Sequence, residues 1–369
     1  MSQPNHYPFW APRFWHGMQT HHWWRLLADN GFRVHPVRWG LAATVSLATL
    51  FNTKMSILQD VFHGHALRNS SLERDPLFIL GHWRSGTTYL HELLSHDERF
   101  VTPTTYQCFA PGHFVLTQST IPKLLWFAMP SRRPMDNVEV GWGSPQEDEF
   151  ALCAMGLPSP YTRVAFPNRP PQHMQYLNME GLTDAEIRHW SDGLMRFLRA
   201  VMYGRQGRVV LKSPTHTGRV GLLSKMFPEA RFIHLVRDPK VLFPSTVRLW
   251  QSLDHVQALQ LPHHDRLEDY VLDAFDAMYA GFNRHAPTLP TNRLIDVHYE
   301  QLVADPLSTM RQVYSQLELG DFAPIETQLS EVVAQKKDYR TNKYQIHDAQ
   351  LAQISSRWAD YFSRYGYDT

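Results

Sequence analysis

Short apolar runs that stop at polar loops alternate in this chain with longer segments whose apolar residues recur every three or four positions. Pro76 to Leu80 is apolar throughout and ends at Gly81, too short for an independent helix, so it predicts a buried parallel strand. The loop GHWRSG follows. From Thr87 the spacing of Tyr89, Leu90, Leu93 and Leu94 is helical, so the chain passes from strand through a glycine-bounded loop into a helix start. Further on, Thr183-x-x-Glu186 forms a capping box ahead of Ile187, Trp190, Leu194, Phe197, Leu198, Val201 and Met202, which predicts a helix ending near Gly204. Arg208 to Leu211 predicts a second strand with Lys212 at its C-terminal edge. FPEARFIHLVRDP predicts a third strand running into a loop, and RLIDVHYEQL a fourth. A stripe from Leu267 to Phe282 and the segment RWADYFSRYGYD predict two more helices. Strands alternating with helices predict an α/β fold, a parallel sheet covered on both faces.

Two regions depart from that alternation. In residues 21–63, HHWWRLL precedes PVRWGLAATVSLATLF, whose apolar run Leu41–Phe51 is half the length that spans a bilayer. Flanked by Trp23, Trp24, Arg25, Arg38 and Trp39, it suits an amphipathic helix in a membrane interface, or equally a helix packed on the catalytic domain. Residues 103–171 hold 11 of the 25 prolines, which excludes long regular helices and central strands and predicts loops and short helices over a pocket, where an acceptor would be gripped. Within this stretch Glu147, Asp148 and Glu149 precede an apolar run. They suit either the N-terminus of a helix or a carboxylate base.

Composition narrows the chemistry. A formal net charge of +1 with 19% charged and 43% hydrophobic residues excludes a disordered chain and a general nucleic-acid surface, so any anion site is local. Cys108 and Cys153 are the only cysteines, which excludes a disulfide framework, and the histidines lack the partners of a metal centre; no metal is expected. The first 20 residues show no signal-peptide pattern, and the expected location is the cytoplasm, with a membrane-surface position if residues 21–63 are interfacial.

The loop after Gly81 aims free amides and a positive helix end at one point, an anion cradle. Gly81 and Gly86 keep the spacing of a Walker A loop, but Thr87 stands where its lysine belongs and Arg84 lies inside the loop. The segment R-S-G-T-T resembles the 5'-phosphosulfate loop of sulfotransferases that use 3'-phosphoadenosine 5'-phosphosulfate (PAPS), with Trp83 in place of their usual proline. Arg237, in RDPKVLFPS, and Ser245 eight residues on resemble the 3'-phosphate motif of the same family; a guanidinium and a hydroxyl together suit a phosphate monoester. Tyr299 in VHYEQL matches a tyrosine that lies near the adenine in that family. Arg84 and the LKSP tetrapeptide place the likeness with the bacterial and tyrosylprotein branch, over residues 76–94 and 208–310.

This resemblance implies a P-loop-like fold and in-line transfer of a sulfuryl group from PAPS to a hydroxyl or amine without metal, leaving 3'-phosphoadenosine 5'-phosphate (PAP). It implies that Ser85, Gly86, Thr87 and Thr88 hold the 5'-phosphate with Arg84, and that Arg84 and Lys212 stabilise the charge growing there. The glutamate that serves as base in the tyrosylprotein branch has no counterpart at Thr104, Thr105, Tyr106 and Gln107. His216 and Glu149 are therefore the first candidates, with Asp148, His113 and His82 behind them. The expected acceptor is apolar or lipid-like. The expected organisation is an N-terminal helical extension (1–72) and a sulfotransferase domain (73–369) containing an acceptor-covering insertion (103–182); oligomeric state is open. A P-loop kinase and a non-catalytic, membrane-associated relict of the fold are the alternatives.

Overall fold

The computed structural model describes residues 11–126, 141–335 and 346–369. The parts of the N-terminal extension and of the proline-rich region at residues 1–10 and 127–140 lie outside them. The chain opens with a 3-10 turn at Phe14–Gly17, α1 (Thr20–Asp29) and α2 (Trp39–Asn69). Then come β1 (Leu77–Leu80), α3 (Thr87–Ser95) and β2 (Phe100–Val101). The proline-rich region folds as short helices: α4 (Thr105–Phe109), α5 (Phe114–Thr117), α6 (Ile121–Leu124) and α7 (Asp148–Ala154). Next are α8 (Asp184–Met202), β3 (Arg208–Lys212), α9 (Val220–Met226), β4 (Arg231–Val236), α10 (Pro239–Gln257), α11 (Leu267–His285) and β5 (Leu294–His298). The chain closes with α12 (Tyr299–Ala304), α13 (Pro306–Gln316), α14 (Ala323–Gln335), α15 (Asp348–Arg357) and α16 (Ala359–Tyr365).

The five strands form one parallel sheet in the order β2-β3-β1-β4-β5. Alternate strand residues feed two apolar cores. Phe78, Leu80, Leu211 and Phe232 point to the face that carries α8, α11 and the N-terminal helices, while Leu77, Ile79, Val210 and Ile233 point to α3, α13 and α14. Burial on both faces explains why these strands are apolar at nearly every position. The two-residue β2 carries too little pattern to be read from sequence. The capping box at the start of α8 is present: Thr183 Oγ1 accepts from the Glu186 amide at 3.3 Å, and the Glu186 carboxylate accepts from the Thr183 amide at 2.8 Å.

Because β3 lies on one side of β1 and β4 on the other, the connections reverse direction at the C-terminal end of β1. That reversal opens the crevice in which parallel α/β sheets bind ligands. The registers Ile79↔Lys212 and Leu80↔His234 bring Lys212 and Arg237 out on either side of the loop after β1.

The segment before β1 is not a separate body. Trp15, Met18, Trp23, Leu26 and Leu27 belong to the same core as Phe78 and Phe232. The apolar run Leu41–Phe51 is part of a 31-residue helix, the one helix among the described residues long and apolar enough to cross a membrane. α2 packs on the domain through its polar side. Asn52 Nδ2 donates to the carbonyls of His16 and Met18 at 2.6 and 2.9 Å, Gln59 Nε2 donates to the Gly112 carbonyl at 3.0 Å, and Trp23 Nε1 donates to Ser46 Oγ at 2.9 Å. Its apolar side faces outward.

Candidate active site

The loop between β1 and α3 is held open by its two glycines. Gly81 has φ +134° and Gly86 φ +100°, conformations that L-residues rarely adopt. A Cβ on Gly86 would lie 2.3 Å from the Tyr299 ring, so α12 presses its first residue directly onto the loop. Gly86→Ala is therefore expected to lower stability by about 2 kcal/mol through strain and displacement of the ring. Urea unfolding measures this, and an unchanged midpoint would mean that the ring gives way freely.

Four residues named from sequence meet at this loop. Arg84 Nε donates to Ser245 Oγ at 3.0 Å, and Arg237 donates from a terminal guanidinium nitrogen to the Arg84 carbonyl at 2.7 Å. The same guanidinium lies 4.1 Å above the Tyr299 ring. The turn is supported from beneath, where the Gly81 amide donates to Thr217 Oγ1 at 2.8 Å and Thr246 Oγ1 donates to the Trp83 carbonyl at 3.1 Å. Ser85 Oγ is buried with no hydrogen-bond partner among the described residues, and the first-turn amides of α3 have no carbonyl behind them within the helix. Thr87 and Thr88 open that turn. A set of N–H and O–H donors with two arginines can neutralise an anion but cannot hydrolyse a nucleotide without further chemistry.

Lys212 lies across the loop from Arg237. Its Nζ donates to Glu147 Oε1 at 2.7 Å and lies 3.5 Å from Thr88 Oγ1. Tyr161 Oη donates to Glu147 Oε2 at 2.7 Å and accepts from Trp83 Nε1 at 2.8 Å, so the loop indole, the phenol, the carboxylate and the ammonium form one chain. A small apolar pocket lined by Phe14, Trp15, Phe150, Cys153 and Val164 opens against Tyr161.

The two bases ranked first from sequence, Glu149 and His216, lie buried behind this arrangement with partners of their own. Glu149 is buried and fully engaged: its carboxylate receives the Arg219 guanidinium at 2.5 and 3.0 Å, Ser159 Oγ at 2.6 Å and Thr215 Oγ1 at 2.9 Å. His216 sits in the core against Phe78 and Trp190, with Nε2 on Asp148 Oδ2 at 2.7 Å, and Ser213 Oγ donates to Asp148 Oδ1. Burial alone would raise both carboxyls, but the His216 partner at Asp148 and the Arg219 charge at Glu149 outweigh it and hold both below the usual carboxylate range. These three side chains tie α7 to the segment after β3 and are closed to an acceptor. His113 hydrogen-bonds Thr117 and Asn52 in the α2 seam, and burial lowers it to about 4. His82 is enclosed by Trp83, Phe275 and Trp358, and burial takes it down to about 3. Cys108 and Cys153 are both buried, and burial raises both thiols.

Sequence reasoning flagged the acidic run and ranked Glu149 first in it, whereas the residue of the run that contacts Lys212 is Glu147. Glu147 is the extended residue just before α7, while Asp148 and Glu149 are its first two helical positions, so the three adjacent carboxylates point three ways and Glu147 reaches Lys212. Tyr161 carried no local signal, because its partners are 14 and 78 residues away.

A family model described as "Sulfotransferase family" matches residues 76–324. The chain is 40% identical over 359 residues to the omega-hydroxy-beta-dihydromenaquinone-9 sulfotransferase Stf3 of Mycobacterium bovis, covering 97% of this chain and 92% of that one. The Mycobacterium tuberculosis protein of the same name matches equally. Among solved structures, sulfotransferase STF9 from Mycobacterium avium superposes with a TM-score of 0.71 at 18% identity over 95% of this chain and 97% of that one. Sulfotransferase STF1 from Mycobacterium tuberculosis superposes with a TM-score of 0.61 at 17% identity over 92% of each, and at such identity the likeness is one of fold, the P-loop-like sheet. The match decides among the three readings raised by the sequence in favour of the transferase.

Proposed function

This chain belongs to the sulfotransferase family, and from that premise we propose that it moves a sulfuryl group from PAPS to a hydroxyl on a lipid-like acceptor. The relative at 40% identity is named for a menaquinone derivative with an omega-hydroxyl, which supports an acceptor of that apolar class. The observation that carries the donor half is the bond from Arg237 to the Arg84 carbonyl. It sets the two anion anchors on one rim, as a nucleotide with a phosphate at each end of its ribose requires.

PAPS supplies an activated sulfuryl group on its 5'-phosphate. Ser85, Gly86, Thr87 and Thr88 donate to that phosphate, while Arg237 and Ser245 take the 3'-phosphate, and Tyr299, whose ring carries the Arg237 guanidinium, lies near the adenine. In the transfer the acceptor oxygen bonds to sulfur as the bridging S–O bond breaks, and the electron pair goes to the 5'-phosphate. Arg84 and Lys212 lie where that negative charge grows. Glu147 is the carboxylate beside them and accepts the hydroxyl proton, its second oxygen held in place by Tyr161. Two free, buried cysteines suit a cytoplasmic enzyme.

Calorimetric titration of the full chain with PAP in EDTA tests the donor site. Binding is expected without metal, and Arg237→Ala should weaken it by about a hundredfold, the order expected for a charge-assisted pair plus its support of the loop. Metal-free PAP binding that is absent, or unchanged in Arg237→Ala, overturns the assignment. Incubation with labelled PAPS and a lipid extract then identifies the acceptor by the product that gains the label.

A further inference from the structure

α2 is built inside out. The side turned to the domain carries Thr49, Asn52, Thr53, Ser56 and Gln59, all hydrogen-bonded, while Leu47, Val61 and Phe62 on the far side are 68, 71 and 69% exposed. At 100° per residue Leu47, Leu50, Ile57, Leu58, Val61 and Phe62 fall within about 140° of the helix circumference, so the exposed apolar surface is one stripe, interrupted midway by Lys54. A soluble domain rarely leaves such a patch bare.

We infer that this stripe docks flat on the surface of an anionic lipid bilayer. A spanning orientation is excluded by the seam: lowering α2 into hydrocarbon would strip Asn52 and Gln59 from the carbonyls of His16, Met18 and Gly112. The helix is also about 46 Å long, against a hydrocarbon core of about 30 Å. A second copy of the chain fits poorly. Lys54 is the midpoint of Trp39–Asn69 and lies on the stripe, so two stripes packed antiparallel about their centres would set ammonium against ammonium. Asp60, the single acidic residue of α2, lies about 120° round the helix from Lys54 and cannot neutralise it. At a bilayer the same lysine reaches up to the phosphates while its stem stays among the leucines. Trp39 at the edge of the stripe is 63% exposed, α1 exposes Trp24 beside Arg25, and the segment between α1 and α2 exposes Phe32 and Val37 beside Arg33. This is the residue mixture that settles at headgroup depth.

The docked face connects to the site. Asn52 is bonded to the 3-10 turn Phe14–Gly17, whose Phe14 and Trp15 line the apolar pocket that ends at Tyr161. Delivery of an acceptor from the bilayer to the site rests on the lipid-acceptor reading above; the docking itself does not.

Co-flotation of the full chain with phosphatidylcholine/phosphatidylglycerol vesicles that contain no acceptor tests the docking. The wild type is expected to float, and Leu47→Glu/Val61→Glu/Phe62→Glu should lower its partition at least tenfold with an unchanged melting temperature and an unchanged molar mass by light scattering. Failure of the wild type to float, or flotation unchanged in the triple variant, overturns the inference. A triple variant that converts a dimer to a monomer assigns the stripe to a second copy and also overturns it. Stripe-dependent flotation with no lipid sulfated leaves docking standing and removes the acceptor reading, whereas equal transfer by wild type and triple variant to an acceptor embedded in vesicles removes delivery by docking.

Discussion

Glu147→Gln is expected to lower kcat by about a thousandfold, within the range general-base catalysis supplies, with little change in PAP affinity. The substitution keeps the shape and an acceptor for Lys212 but removes the charge that takes the acceptor's proton. Tyr161 Oη would still find the side-chain amide, so the site is not expected to collapse. Single-turnover transfer of labelled sulfate measures the chemical step apart from product release. His216→Asn is the matching control, since the His216 ring lies in the core on Asp148, against Phe78 and Trp190; its folded fraction should transfer at the wild-type rate. A Glu147→Gln enzyme within tenfold of wild type, or a His216→Asn enzyme that folds and fails to transfer, would reverse the two assignments.

Lys212→Ala should reduce kcat by a further route, about a hundred- to a thousandfold, because the ammonium stabilises charge that appears only as the S–O bond breaks. PAP should still bind, held by the loop amides and by Arg237. The loss extends to stability. Lys212 is 1% exposed and its partner carboxylate 15%, so the truncation leaves a largely buried negative charge without its partner, a change that destabilises by about 3 kcal/mol. In the double variant Lys212→Ala/Glu147→Gln that charge is gone, and part of the stability should return while activity falls no lower than in the weaker single variant. Urea unfolding and transfer assays on the four proteins of the cycle separate the two effects. Additive losses in both would mean that the 2.7 Å contact does not couple the two residues.

Arg84, Lys212, Arg237 and Ser245 were legible in the chain because each belongs to a local signal. A strand end followed by a turn shows in a few consecutive residues, and the C-terminal edge of a parallel sheet is where such ends converge. The same locality made the start of α3, the capping box of α8 and the alternation of strands and helices readable.

The sequence by itself therefore determined the sheet, the anion loop and which cations stand at its rim. Only the tertiary structure decided which carboxylate of the run 147–149 faces Lys212, that His216 belongs to the core, and which way α2 turns. Those outcomes depend on partners 65 to 70 residues apart for the acidic run, and on the 3-10 turn before α1 for α2. Local backbone geometry separates the directions of neighbouring side chains but does not say what each will meet, and that is set when distant segments pack and buried polar groups take up their partners.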